Sequence, residues 1–310
     1  MNILITGVHG FVGSNLVLSL KDGNTIYGLD IIAPEKEGVT KTYSWDDLDA
    51  DRIPEVDAII HLAGKAHDTK NQSAAEVYFK VNTDLTKKVF DYFLHSKAQK
   101  FVFFSTAKAA ADKVDGVLTE DVVPAPVGPY GESKIAAENY ILGHNGMADK
   151  QVYIFRPCMI HGPGNKGNLN LLYNVVKKGI PWPLGAFENR RTFTSIENIC
   201  FAVKGVLTQD VPSGIYNMGD DEALSTNELI EEICKSLGKK AHIWRLPKRL
   251  MTGVAKVGGW LHLPLNPERL RKLTENYVSS NAKIKAALGV ERMPVDAREG
   301  LKVTLESFAK

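Results

Sequence analysis

The chain has 310 residues but only three cysteines, almost no net charge and no long apolar run. Cys158, Cys200 and Cys234 are odd in number and far apart. They offer no metal-ligand spacing and no disulfide framework, so no metal is expected and a reducing cytoplasm is the fitting compartment. The net charge of +2 gives no basic face of the kind that marks a nucleic-acid binder. No run of ~18 or more residues that are both uncharged and apolar, the length that would cross a bilayer, is present. No charged-then-apolar leader is visible either, because Met1-Asn2 passes straight into a strand pattern. Repeats and low-complexity segments are also missing. What is present is an ordinary globular balance of 44% hydrophobic and 24% charged residues. That length and balance suffice for one large core or two packed domains.

The stretch that organises the rest is Pro129-Tyr130-Gly131-Glu132-Ser133-Lys134, at the entry of a helical run. Residues four apart share a helix face, which sets the Lys134 ammonium beside the Tyr130 phenol. A free phenol titrates near ~10. A neighbouring cation would lower that value and make Tyr130 a usable acid/base for alcohol–ketone interconversion. On its own such a pair is more often a solvated surface feature, so its company decides.

That company begins at the N-terminus. Ile3-Leu4-Ile5 is a short buried-strand run, followed by Gly7-Val8-His9-Gly10-Phe11-Val12-Gly13 and a helical pattern from Ser14. Strand, three spaced glycines and helix form a dinucleotide-binding layout, with the phosphates at the helix N-terminus. The second strand, Thr25 to Asp30, ends in a carboxylate about 20 residues past the glycines. Asp30 there would bond the adenosine ribose and repel a 2′-phosphate, which favours NAD over NADP. Val56 to Gly64 reads as a buried strand whose exit, Leu62-Ala63-Gly64, is small enough to leave room for a cofactor. His61 within it reads as a packed core residue rather than a ligand. A long helix, about Ala74 to His95, carries Asn82. The next strand ends at Ser105-Thr106, and a further one at Arg156-Pro157.

In this order, these motifs resemble an extended short-chain dehydrogenase/reductase of the NAD-dependent epimerase/dehydratase family, which acts on nucleotide sugars. The resemblance implies a Rossmann-type doubly wound parallel α/β sheet with a smaller C-terminal substrate domain. Residues 1–164 would hold NAD, segments near 190–220 would return to the sheet edge, and 165–310 would mainly bind substrate. It implies that Thr106 bonds the reacting sugar oxygen, Tyr130 exchanges its proton and Lys134 holds the nicotinamide ribose. The cofactor side would comprise Gly7, Gly10, Phe11, Val12, Gly13, Asp30, Leu62, Ala63, Gly64, Asn82, Ser105, Tyr130, Lys134, Arg156 and Pro157. It also implies a homodimer through helices around Glu76–His95 and Ser133–Leu142.

The chain departs from the family in places. After Thr106 it has Ala107-Lys108, where 4,6-dehydratases carry an Asp-Glu pair, so the acid and base for removing water across C5–C6 are missing. Lys108 would meet a phosphate or sugar oxygen, or simply lie in solvent. His161 replaces a usual Tyr. Cys158, with no base in view, reads as a small packed residue. Asn168 opens a helix whose amides could receive a phosphate. Arg190-Arg191 resembles the family's pyrophosphate clasp, and because adjacent strand residues face opposite ways, Arg191 is taken as the one that reaches in. Within the family, the Ser-Thr-Ala-Lys run, the Lys166-Gly167-Asn168-Leu169 run and Gly185 through Phe193 are nearest the C4-acting branch on N-acetylated UDP-sugars. That branch includes UDP-quinovosamine 4-reductases. The expected activity is therefore C4 epimerisation of a UDP-hexose or UDP-N-acetylhexosamine. The alternatives are a one-way 4-ketoreductase and a non-catalytic dinucleotide sensor. Leu246 to Leu265, basic and partly apolar, is expected to pack on the substrate domain. The open alternative is a membrane surface and a polyprenyl-linked sugar.

Overall fold

A computed structural model of the chain describes residues 1–65, 74–144, 149–165, 167–261 and 265–309. Lys166, part of one motif named above, and His262 to Pro264 lie outside the described residues, as does 66–73.

Seven strands form one sheet: β1 (Asn2–Thr6), β2 (Thr25–Leu29), β3 (Lys41–Tyr43), β4 (Ala58–His61), β5 (Lys100–Phe104), β6 (Gln151–Pro157) and β7 (Gly214–Met218). Their order is β7-β6-β5-β4-β1-β2-β3, and every pairing is parallel. The chain thus winds outward one way from β1, then the other, leaving a crevice at the carboxyl ends where the order reverses.

Side chains alternate between the two faces, as strand geometry requires. Ile3, Ile5, Ile60, Val102 and Phe155 pack with Leu16 and Val17 of α1 (Phe11–Leu20). The same layer takes Ile199 and Val203 of α8 (Ile196–Thr208) and Leu288 of α12 (Ala282–Leu288). Leu4, Ile59, Phe101, Phe103 and Ile154 face the other way. They meet Val89, Phe90 and Phe93 of α4 (Leu85–His95), Ala137 and Ile141 of α6 (Pro129–Leu142), and Leu48 of α2 (Trp45–Asp49). Burial on both faces is why these strands read as nearly unbroken apolar runs.

The smaller lobe has its own core. It joins Leu169 and Tyr173 of α7 (Asn168–Lys177) to Leu229 and Ile233 of α9 (Thr226–Ser236). Met251 of α10 (Lys248–Trp260), Leu270 of α11 (Pro267–Thr274) and Leu301 of α13 (Ala297–Ser307) complete it. The chain crosses between the two cores more than once: α8, β7 and α12 belong to the sheet, although they follow residue 164.

The expected helix from Ala74 to His95 is not uniform. An α segment, α3 (Ala75–Tyr78), passes into a π-turn over Phe79–Asp84 before α4 begins. Such a turn inserts an extra residue and re-aims nearby side chains, and here it carries Asn82.

Candidate active site

The crevice begins at the glycine loop. Gly7 has φ +69, and a Cβ there would lie 3.0 Å from the Ala63 nitrogen. At Gly13 a Cβ would lie 2.4 Å from the Gly7 carbonyl, so only glycine lets α1 sit this close to the loop. The N-terminus of α1 is capped by Gly10 with no side-chain bond, which leaves its first amides facing the crevice. Asp30 follows β2, and its Oδ2 accepts the His9 amide at 3.1 Å. That fixes the carboxylate at the mouth of the loop. Glycines that close contacts demand, an uncapped helix start and a carboxylate at the second strand's end fit a dinucleotide. Phe11 and Val12 form the first turn of α1.

A buried polar chain then ties β4 to α6. The Leu62 and Ala63 amides donate to Thr6 Oγ1 at 3.1 and 3.0 Å, and that hydroxyl lies 2.7 Å from His61 Nδ1. On the other side His61 Nε2 is 2.9 Å from Thr86 Oγ1, which donates to the Asn82 carbonyl. Because Thr86 gives its proton to Asn82, it can only accept from His61, so Nε2 bears the hydrogen and Nδ1 accepts from Thr6. Burial pushes His61 down to about 3, with Lys134 adding to the effect, so the ring is neutral. It is a packed core residue, as the sequence suggested, stacked on Phe103.

The Asn82 side chain continues the connection. Its Oδ1 accepts the Lys65 amide at 2.7 Å, and its Nδ2 donates to the Lys65 carbonyl at 3.1 Å and to Ser133 Oγ at 3.0 Å. Ser133 in turn donates to the Tyr130 carbonyl at 2.9 Å. Asn82 thereby holds the exit of β4, including Gly64, against the first turn of α6.

Thr106 caps α5 (Ala107–Ala110) at the end of β5, its hydroxyl accepting the Lys108 amide at 3.3 Å and lying close enough to the Tyr130 phenol to pull it down against burial. Strand end and helix start thus bring these two together. Gly131 makes that approach possible, since a Cβ there would lie 2.7 Å from the Lys108 carbonyl. Lys134 is buried, and its ammonium donates to the Phe104 carbonyl at 2.8 Å. Burial pulls it down to about 8, with Glu138 opposing. One expectation is corrected here. The Tyr130 phenol is raised, not lowered, because burial dominates, and the opposing pull comes from Thr106 rather than from Lys134. The Lys134 ammonium lies under the end of β5 and serves a backbone carbonyl.

Ser105 and Arg156 meet on Glu138. Ser105 Oγ donates to Glu138 Oε1, and Arg156 donates through Nε and Nη2, the latter at 2.5 Å. Arg156 and Glu138 are completely enclosed, so the pair fixes β5, β6 and α6 relative to one another. In this arrangement Arg156 faces Glu138, and Pro157 ends β6 beside it. Burial raises Cys158 to about 12, which removes any thiolate role at neutral pH. His161 is likewise enclosed, 2.9 Å from Thr304 Oγ1 of α13 and 3.4 Å from Asp220.

On the small-lobe side the two arginines diverge as strand geometry requires. Arg190 is exposed and pairs with Glu228 at 2.8 Å. Arg191 turns inward and donates to the Lys272 carbonyl at 2.7 Å; burial lowers it, with Glu275, Cys158 and Tyr277 nearby. Lys108 lies against Asp112 at 3.2 Å and over the Tyr277 ring at 4.6 Å, so it is neither free in solvent nor unpartnered. Arg271 donates to Asp112 at 3.1 Å. Asn168 is exposed in the first turn of α7, away from this cluster's contacts.

Sequence reasoning missed Lys36, which donates to the Val8 carbonyl at 3.1 Å and to Ser14 Oγ at 2.6 Å across the glycine loop. Nothing in the polar stretch around it distinguishes that lysine from a solvated one. Thr6, Ser133 and Glu138 were missed too, although the spacing of Lys134 and Glu138 on one helix face was a usable signal.

A dinucleotide crevice that holds a Tyr/Lys pair beside a strand-end hydroxyl defines an oxidoreductase-type site. Residues 3–219 match the model of the NAD dependent epimerase/dehydratase family. The chain belongs to that family and is an NAD-dependent enzyme. It is 31% identical over 265 residues to a UDP-glucose 4-epimerase of Vibrio cholerae, covering 79% of this chain and 78% of that one. It is 27% identical over 293 residues to an N-acetyl-alpha-D-glucosaminyl-diphospho-ditrans,octacis-undecaprenol 4-epimerase of Escherichia coli O157:H7, covering 92% and 84%. The fold matches MoeE5 in complex with UDP-glucose and NAD at a TM-score of 0.79 and 22% identity, over 100% and 99% of the two chains.

Two outcomes are expected. His61 is neutral in the fold and titrates near 6.5 when unfolded. Its contribution to stability is therefore intact above pH 6.5 and lost as pH falls toward 3, amounting to about 2 kcal/mol at pH 5. Denaturant unfolding at pH 7 and pH 5 should show that loss, and His61→Gln should reduce the pH dependence by the same amount. If the variant's pH dependence matches wild type, the neutral-ring assignment is wrong. Gly131→Ala should leave dinucleotide affinity within about threefold while lowering turnover at least tenfold, because the added Cβ meets backbone and pushes Tyr130 from Thr106. Dinucleotide titration and steady-state kinetics would check it.

Proposed function

We propose that the chain is a 4-epimerase of a UDP-linked hexose or N-acetylhexosamine, with Tyr130 as its acid/base. The observation that carries this reading is the convergence of Thr106, at the end of β5, on the Tyr130 phenol, with the buried Lys134 one helical turn further on. The 4-epimerases among its relatives support the choice of reaction and of C4.

Thr106 would hold the C4 oxygen, and Tyr130 Oη would take the hydroxyl proton as the C4–H bond breaks. When bound, NAD supplies the hydride acceptor for C4 and a positive charge near the phenol. That charge would offset the burial that otherwise keeps Tyr130 protonated. Tyr130 would return the proton to the same oxygen after the ketosugar has presented its other face. The loop amides of Gly7 to Gly13, with Asp30, would hold the adenosine half. Asn82, Leu62, Ala63 and Gly64 would shape the nicotinamide side. Lys134 would donate to the ribose as well as to Phe104, while Ser105, Arg156 and Pro157 would act through the Glu138 pair. Arg191, with Lys108 nearby, would face the diphosphate, and Asn168 the sugar or nucleotide from α7.

A one-way 4-ketoreductase would use the same groups, so it stays the second reading. A sensor would not need Thr106, Tyr130 and Lys134 assembled. Tyr130→Phe should lower epimerisation of UDP-glucose or UDP-N-acetylglucosamine by about 10²- to 10⁴-fold while NAD binding persists. Full activity in that variant would remove Tyr130 from the reaction. Denaturing the purified protein and chromatographing released nucleotide separates the first two readings. Near-stoichiometric NAD is the epimerase outcome; an empty protein that consumes NADH or NADPH with a 4-ketosugar is the reductase outcome.

A further inference from the structure

Within the region of Leu246 to Leu265, α10 packs one face on the small lobe, as expected, and leaves another face apolar and exposed. Met251, Ala255 and Gly258 are buried against the small-lobe core. Leu250, Val254, Val257 and Leu261 fall within about 60° of one another around the helix. They face outward, with 53%, 47%, 54% and 52% of their surface exposed, and Trp260 beside them is 81% exposed. A run of this kind on one helix is unusual for a surface meant only for water.

Charge is segregated to match. Between residues 233 and 267 the chain has seven lysines and arginines and no aspartate or glutamate, although its net charge is only +2. Arg245, Arg249 and Lys256 are exposed and make no ion pair among the described residues. Arg249 and Lys256 flank the apolar stripe on the side away from the core. No described helix is long and apolar enough to cross a membrane.

We propose that α10 docks the protein on an anionic lipid surface, lying in the plane of the interface with its stripe and Trp260 inserted and Arg249 and Lys256 among the headgroups. An apolar face, a terminal tryptophan and flanking cations are the composition such helices need, and the missing acidic residues remove the repulsion that anionic lipid would otherwise meet. A second copy of the chain fits less well, because two such faces would bring like charges together. The helices expected at a dimer interface, α3 to α4 and α6, lie on the sheet's own layer instead. The orientation would also suit the site. A cleft between α10 and α11, lined by Ala255, Lys256, Leu270 and Arg271, leads to Arg271, which bonds Asp112, the partner of Lys108. A sugar on a lipid diphosphate could then be reached from the bilayer. This last step rests on the proposed function, whereas the docking itself does not.

The test is sedimentation of the full chain with vesicles of phosphatidylcholine alone or mixed with phosphatidylglycerol. Binding should require the anionic lipid and fall steeply with salt. Val257→Asp with Trp260→Ser, and separately Arg249→Glu with Lys256→Glu, should each lower partitioning at least tenfold. Both pairs should keep wild-type turnover of a soluble UDP-sugar, or the wild-type unfolding midpoint if no such sugar is turned over. Wild type remaining in the supernatant, or variants binding as wild type does, would overturn the proposal. So would sedimentation velocity showing that either variant dissociates a dimer, since α10 would then be a contact between copies.

Discussion

The site depends on one buried polar connection, from Thr6 through His61 and Thr86 to Asn82 and Ser133. In a low-dielectric interior such a chain is strong when every donor finds an acceptor and costly when one does not. Here the proton directions are determined throughout: backbone amides drive Thr6, Thr6 drives His61, His61 drives Thr86, and Thr86 ends on a carbonyl. A neutral histidine can accept at one ring nitrogen and donate at the other, which is what this span requires. Burial, by keeping it neutral, preserves that polarity. The π-turn is the geometric counterpart, because it turns Asn82 toward the exit of β4 while α4 stays packed on the sheet.

A second constraint acts on the other side of α6. Glu138 is enclosed and would be prohibitively costly to charge alone, yet Arg156 and Ser105 surround it. Such pairs need not add stability, but they admit few alternative packings. Their effect here is to set α6 against β5 and β6 from within. Lys134 is then held under the β5 carbonyl, and Tyr130 is set against Thr106 and the Tyr78 ring. Placement, rather than a pre-lowered phenol, is what the protein itself provides.

Much of this could be read from the sequence because it rests on local rules. The glycine spacing, the carboxylate after β2, the apolar strand runs and the Tyr/Lys pair each follow from short-range geometry, and the sheet places them together. The divergent arginines followed from strand alternation alone. What could not be read depends on distant pairings. Lys36 reaches the glycine loop from a stretch without pattern, and Glu138 looks like any helical glutamate until Arg156 faces it. The π-turn leaves no mark in a helical periodicity. The raised Tyr130 phenol also escaped, because spacing gives the nearness of a lysine but not the carbonyl it prefers.

The departure at Ala107-Lys108 has a structural counterpart that bears on the reaction. Removing water across C5–C6 needs a group near the sugar that can give a proton to the leaving hydroxyl. The carboxylate that Lys108 pairs with is Asp112, 3.2 Å away. Burial alone would raise it and make it an acid, but hydrogen bonds and charge from Arg271 and Lys108 outweigh burial and hold it below the ordinary range. It therefore stays ionised at neutral pH and cannot act as that donor. Glu275, next to Arg271 and within 3.9 Å of Lys108, faces the same cations. The substitution of lysine for an acid at 108 thus does two things: it removes a proton donor, and it converts the neighbouring carboxylate into a counter-ion. What the crevice keeps is Thr106 and Tyr130, which under the proposed function would move one proton on and off one oxygen.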